Sequence, residues 1–303
     1  MLDDLFALLV FPGGLFVVVC GLVYMWLNRK LIARLQNRIG PRWFQPAADT
    51  MKLLGNEEIM PAGVDPVLFH LFPLLAAAGA LTAALYVPLG GVNPAFSFEG
   101  DLIVTITLLG LLTLMTGLAG SLSADRFALV GANRTLTQLF SYEVPFLLAL
   151  LGPALAAGSW QLQEILASHG GRWLLIMQPI GFVVAILGLL GKLELHPFDA
   201  PEANTEIVAG ALTEYSGRGL ALFYLSRGIE LVIGLTLVSA LYLGGIGSPL
   251  AFLAKTLGLL LGITLIEALM TRLRIDQTVS LWWRLMSVAV LVQLLIVVIV
   301  GRI

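Results

Sequence analysis

Residues 5–27 run for 23 positions without one charged side chain. A helix crosses the hydrocarbon core of a bilayer in about 20 apolar residues. Lipid offers the backbone no hydrogen-bond partners, so a run of this length has one stable form there, a helix that bonds to itself. The run follows Asp3 and Asp4 rather than a basic segment, and it exceeds the apolar core of a signal peptide, so it is expected to be retained as a span. Seven further apolar runs, at about 67–89, 101–123, 140–158, 173–192, 219–243, 250–270 and 281–300, bring the expected number of spans to eight. Gly-rich breaks such as Pro88-Leu-Gly-Gly91 and Gly244-Gly245 separate several of them. Composition agrees. Hydrophobic residues make up 58% of the chain and charged residues 12%, about half the charge of an ordinary soluble domain. A soluble chain of 303 residues could not bury that much apolar surface. The expected fold is therefore an all-α membrane protein, residues 1–303 forming a single polytopic domain.

Charge excludes some functions and orients the rest. A formal net charge of −2 speaks against nucleic-acid binding. The single cysteine, Cys20, excludes internal disulfides, thiolate-held clusters and Cys-type zinc sites. His70, His169 and His196 lie far apart in sequence, so no metal or haem site is expected, and His70 and His196 read as satisfied structural groups. Thirteen of the seventeen basic residues fall in or beside the connections at about 28–66, 124–136, 192–218 and 271–280. The positive-inside rule places those connections in the cytoplasm and both termini outside, consistent with an even number of spans.

The first long connection is basic. Lys30, Arg34 and Arg38 are spaced i, i+4, i+8 and would line one helical face. Asp49 and residues 51–54 fit a short amphipathic helix at the membrane interface. Such a stripe suits lipid headgroups or the docking of a partner protein. The connection at 192–218 is acidic. Asp199 and Glu202 are spaced as a helix cap and capping box, with Pro201 in the first turn and Gly210 as a stop. Glu202 and Glu206 would then share a face at i, i+4, and a partly buried pair would hold one proton. The alternative is a simple cap beside a solvated glutamate.

Charges inside spans are costly and mark candidate pathways. Glu143 begins the fourth span and Glu267 lies in the seventh, both without an obvious local partner. Arg227 and Glu230 enter the sixth at i, i+3, spaced for a local ion pair or for a relay.

Several stretches together resemble one family. Pro197-Phe-Asp-Ala-Pro-Glu-Ala-Asn-Thr-Glu-Ile-Val-Ala-Gly210 followed by Thr213-Glu-Tyr-Ser-Gly217 looks like the signature of the eight-helix membrane subunit 1 of respiratory complex I. The family includes the membrane subunit of energy-converting [NiFe] hydrogenases and formate hydrogenlyases. Gln45-Pro-Ala-Ala-Asp-Thr-Met-Lys52 is similar to its second signature. Gly131-Ala-Asn-Arg134 with Gln138, Ser141-Tyr-Glu-Val-Pro145 and Arg272-Leu-Arg-Ile-Asp-Gln277 resemble further family stretches. The resemblance spans about residues 28–284.

It implies a subunit at the heel of a membrane arm, where a peripheral redox arm docks on the cytoplasmic side of the cell membrane. By resemblance, Glu143, Asp199, Glu202, Glu206 and Glu214 become candidates for proton or ion coupling, joining Glu230 and Glu267, which are candidates as charges inside spans. Arg34, Arg38, Gln45, Asp49, Lys52, Arg134, Arg274 and Asp276 become candidates for docking or loop anchoring. The chain itself is expected to bind no cofactor. A [NiFe] centre and iron–sulfur clusters would sit in partners: hydrogenase-like large and small subunits and an iron–sulfur subunit, with antiporter-like subunits alongside in the membrane. The hydrogenase-like branch is suggested by the three residues between Pro41 and Gln45, by Leu53-Leu-Gly55, and by Lys192-Leu-Glu-Leu-His196. Asn204 stands where a glutamate is commoner in the family. The alternative is a quinone-binding subunit 1 of an NADH:quinone oxidoreductase. A stand-alone transporter would call for inverted repeats, which the sequence lacks, and a purely structural anchor is separated from a pump only by mutation.

Overall fold

The computed structural model describes residue 6, residues 8–168 and residues 170–300, the side chains of residues 204 and 300 excepted. Among these residues the elements are all helical. They are α1 (Gly14–Leu35), α2 (Gln45–Gly55), α3 (Pro66–Ala83), α4 (Asp101–Leu122), α5 (Arg126–Ala157), α6 (Leu162–Ser168), α7 (Leu174–Met177), α8 (Pro179–Lys192), α9 (Asn204–Ile207), α10 (Gly217–Tyr242), α11 (Pro249–Leu269), α12 (Ile275–Ser280) and α13 (Ser287–Val300). A π-helical stretch, Leu281–Met286, joins the last two. Seven helical segments are long and apolar enough to cross a bilayer, and α8, of 14 residues, is a shorter apolar one. Together they match the eight expected spans. The beginning of the first expected span, with Asp3, Asp4 and Arg302, lies outside the described residues, as does His169.

Several boundaries differ from expectation. α1 continues to Leu35, so Arg29, Lys30 and Arg34 sit on the spanning helix. The chain then turns through Asn37 at φ 57, which takes Arg38 off the helix and breaks the expected basic stripe. The fourth span starts at Arg126, not near 140, so the expected connection at 124–136 is mostly helix. Asp125 explains this early start: its side chain accepts from the Ala128 amide at 2.9 Å and caps the helix. The fifth expected span is interrupted at Gln178, where φ −127 and ψ 58 divide α7 from α8. The last span begins at Ile275. Asp65 and Ser248, each followed by proline at the first helical position, start α3 and α11 in the same way as Asp125.

α10 forms the centre of the bundle. From Gly228 to Tyr242 every residue is buried, and a helix apolar on all sides is stable only when enclosed. It packs against α1, α2, α3 and α11, and α5 packs between α4, α8 and α13. Two prolines inside helices are answered by tyrosines. Pro153 lacks the amide that would bond the Ala149 carbonyl, and the Tyr242 hydroxyl donates there at 2.6 Å. Pro73 similarly frees the Phe69 carbonyl, which accepts from the Tyr215 hydroxyl at 3.2 Å. In lipid a carbonyl left alone is costly, so these pairings hold α5 to α10, and α3 to the loop before α10.

Candidate functional site: a charged loop seated on the bundle

The chain between α8 and α10 folds back over one end of the bundle. Phe198 is its anchor, fully buried with its ring centroid 5.3 Å from that of Trp282. Gln138, on the inward face of α5, donates from Nε2 to the carbonyls of Gly191 (2.9 Å) and Phe198 (2.7 Å). The Leu273 amide donates to the Pro197 carbonyl at 3.0 Å, which ties this loop to the one between α11 and α12.

Three arginines hold the acidic side chains. Arg272 makes a two-pronged contact with Asp199, Nε to Oδ1 at 2.9 Å and Nη2 to Oδ2 at 2.6 Å, the planar arrangement that suits a guanidinium and a carboxylate. It also reaches Glu206 at 3.4 Å. Arg134 donates to Glu206 at 2.8 Å and to the Ala200 carbonyl at 3.2 Å. Arg227 pairs with Glu194 at 2.6 Å and with Glu202. The Arg134 hydrogen bond and charge hold the exposed Glu206 carboxyl below its ordinary pKa. Burial raises that of Glu194 even though Arg227 opposes the shift. Glu194 takes the left-handed conformation (φ 53) just after α8, where glycine is usual, so the backbone is strained by roughly 1 kcal/mol to aim this side chain inward.

Deeper in the bundle, Lys192 ends α8 with a side chain that is completely buried, its Nζ 3.1 Å from Glu143 Oε2. Glu230 on α10 is 1% exposed, and neither of its oxygens has a hydrogen-bond partner among the described residues. Glu267 on α11 accepts from Asn28 Nδ2 at 3.0 Å. Asn28, Arg29, Glu194, Glu202, Arg227 and Glu267 line a cavity of about 220 Å³ between α1, α10, α11 and the loop. A second, open cavity of about 590 Å³ lies against Arg134, Glu206, Arg272, Arg274 and Asp276.

Several expectations are corrected. Arg227 does not pair with Glu230: it turns outward to the loop, where two carboxylates await it. Asp199 and Glu202 do not form a capping box. α9 is a single turn starting at Asn204, with Ala203 before it, and Arg272 and Arg227 take the two carboxylates. Glu202 and Glu206 are therefore held by different arginines. Glu143 does have a partner, Lys192, which counted by sequence as a loop residue. Asp49 accepts from Gln45 at 3.1 Å and lies 3.7 Å from Arg29. Arg38 bonds only its neighbour Gln36 among the described residues, and Arg34, Lys52, Arg274 and Asp276 are exposed. Glu214 is half-buried, with no ion pair among the described residues. His196 lies 3.2 Å from Asp199 Oδ2, and His70 Nδ1 is 2.6 Å from the Pro66 carbonyl. Arg272, Glu194 and Lys192 appeared in the sequence only within family-like stretches and were not site candidates. Their one signal is position: Lys192 and Glu194 close a 14-residue apolar helix, and Arg272 follows another apolar helix. Among the described residues, no three His, Cys, Asp or Glu side chains come together to hold a metal ion.

The family model for NADH dehydrogenase matches residues 7–298. An H-type subunit of the NADH-quinone oxidoreductase of Geobacter metallireducens is 34% identical over 302 residues, covering 93% of this chain and 92% of its own. Its counterpart in Thermomicrobium roseum is 36% identical over 256 residues, 76% of this chain and 75% of its own. The counterpart in Carboxydothermus hydrogenoformans is 32% identical over 253 residues, 81% of this chain and 72% of its own. In fold, the chain superposes with TM-score 0.88 on a chain of the membrane-bound sulfane sulfur reductase, an archaeal respiratory membrane complex, at 24% identity and covering 97% of this chain and 98% of that one. Sequence match along nearly the whole length and an all-helical membrane fold lead to one conclusion: the chain belongs to the NADH dehydrogenase family, as a complex I subunit 1 type of oxidoreductase membrane subunit.

Proposed function

We propose that this chain anchors a peripheral redox arm to the membrane and couples its chemistry to the movement of protons or sodium ions. The observation that carries the reading is the continuity of the charged groups. Asp199, Glu202 and Glu206 sit in a surface loop, Glu194 lies under it, Lys192 and Glu230 are enclosed among spanning helices, and Glu143 is half-buried beside Lys192. Buried ionisable groups in a membrane are expensive unless they serve a path. Redox events at the docking face would shift the loop. The shift would alter which carboxylates are paired and so which hold protons, an electrostatic switch with two arrangements. The charged end faces the cytoplasm in this reading, with antiporter-like subunits continuing the path.

For the redox arm we favour a hydrogenase-like or formate hydrogenlyase-like set: large and small subunits and an iron–sulfur subunit, with the [NiFe] centre and clusters housed there. The short connection between Pro41 and Gln45 and the Lys192-Leu-Glu-Leu-His196 segment support this. So does the size of the cavity, about 220 Å³, whereas sites for drug-sized ligands usually occupy about 300–1,000 Å³. The names of the curated relatives favour the second reading, a quinone-binding subunit of an NADH-quinone oxidoreductase.

Two experiments decide. Glu202→Gln and Glu143→Gln complexes, reconstituted in liposomes, are expected to assemble and to lose ion uptake or turnover. If both variants pump and turn over normally, the coupling role is wrong. Purifying the native complex through this chain identifies the branch: a nickel-containing large subunit supports the hydrogenase reading, and an NADH-oxidising arm overturns it.

A further inference from the structure

Lys192 has one carboxylate too many. Its ammonium is fully enclosed, 3.1 Å from Glu143 and 5.5 and 5.6 Å from the ring centroids of Tyr142 and Phe146. Glu230 approaches from α10 with both oxygens unpartnered among the described residues. Lys192 and Arg227 attract Glu230, while Glu143 and Glu194 repel it. These come from α8, α5, α10 and the loop. α4 contributes only Gly110 and Thr113 here, and Gly110 keeps the space open: a Cβ there would stand 2.9 Å from Glu143 Oε1 and 3.7 Å from Lys192 Nζ. The room around the ion pair is thus kept by the absence of a side chain.

We propose that Lys192 is a shared counter-ion that exchanges between Glu143 on α5 and Glu230 on α10, and that the carboxylate it leaves takes up the proton. The assignment rests on the coupling role proposed above and names the residue that performs the exchange. Charge balance gives the reason. One buried ammonium, one buried carboxylate and one half-buried carboxylate are neutral together only when one carboxylate holds a proton. With Lys192 on Glu143 the proton belongs to Glu230; with Lys192 on Glu230 it belongs to Glu143. The loop has a lever on this choice. Gln138 clamps Gly191, the residue before Lys192, and Phe198 of the loop through one amide group. Phe198 contacts Trp282, whose ring centroid is 6.3 Å from that of Tyr142, the neighbour of Glu143. A loop that moves therefore moves the last turn of α8.

The test uses the intact complex in liposomes, with ion uptake per electron pair and infrared difference spectra of protonated carboxyl groups as readouts. The variants are Lys192→Met, Lys192→Arg and the neutral pair Lys192→Met with Glu143→Gln. The resting wild-type complex is expected to show a protonated-carboxyl band that disappears in Glu230→Gln. Lys192→Met is expected to strengthen the carboxyl band and to lose uptake; Lys192→Arg is expected to keep both near wild type. The neutral pair restores charge balance, so it is expected to assemble even where Lys192→Met alone does not, and still to lose uptake. Uptake at the wild-type level in the neutral pair, or a band that Glu230→Gln leaves unchanged, overturns the proposal. Uptake retained in Lys192→Met while Glu143→Gln and Glu202→Gln abolish it overturns the shared counter-ion and leaves the coupling role standing.

Discussion

Arg227 joins two carboxylates eight residues apart on one loop, Glu194 and Glu202. Glu194 is 6% exposed, so its charge is tolerated only beside that guanidinium. Arg227→Leu is expected to cost about 3 kcal/mol, because it leaves a buried charge uncompensated. The thermal stability of the purified complex measures this, and adding Glu194→Leu should recover most of the loss. The two loop glutamates respond to pH with opposite signs. Arg134 depresses the pKa of Glu206, so the stability it contributes is complete above the ordinary carboxylate value and is lost as pH falls through the depressed one. Burial raises the pKa of Glu194, so folding favours its protonated form and that contribution weakens as pH climbs from the ordinary carboxylate value through the raised one. Amide exchange in residues 200–212, taken relative to the intrinsic rate at each pH, should therefore quicken at acid pH in the wild type. In Glu206→Gln it should already be fast at neutral pH, and equal slow exchange in both would remove Glu206 from the clasp.

At the level of elements, the proline–tyrosine pairings connect sequence to packing most directly. Pro153 leaves the Ala149 carbonyl without an amide, and Tyr242 answers from α10. Tyr242→Phe should cost about 1–3 kcal/mol, the penalty for an unsatisfied buried acceptor. Pro153→Ala in that background should restore part of it, since the helix can then bond its own carbonyl. A melting series of the four combinations checks the coupling. Where the sequence misled, it did so at helix ends. Arg126 and Arg134 read as loop residues because charge usually marks a connection, yet the Asp125 cap carries α5 through both. Lys192 read as a loop residue for the same reason. It is the end of a helix because its charge is met inside the bundle by Glu143.

For the whole molecule, the basic end carries exposed cations, Arg34 and Arg38 and Lys52 among them, and the arginines that hold the loop are already engaged with carboxylates. If the exposed set docks a peripheral arm, reversing Arg34 and Arg38 to glutamate should weaken attachment by about 0.5–1 kcal/mol per charge at low ionic strength, and less as salt screens the contact. Retention of the arm through a potassium chloride series during purification reads this out. Unchanged retention would show that Arg34 and Arg38 do not dock the arm.

The amino-acid sequence alone establishes an eight-span membrane protein and its family, because apolar length is read residue by residue and the Pro197–Gly217 motif is contiguous. It also singles out most of the acidic groups, since an ionisable residue stands out against an apolar background. Partners are beyond it. Arg272 meets Asp199 across 73 residues, and Lys192 meets Glu143 across 49. No spacing rule reaches so far along a chain. The packing of α5, α8 and α10 settles which carboxylates are clasped by arginine at the surface, and which one meets a lysine inside the bundle.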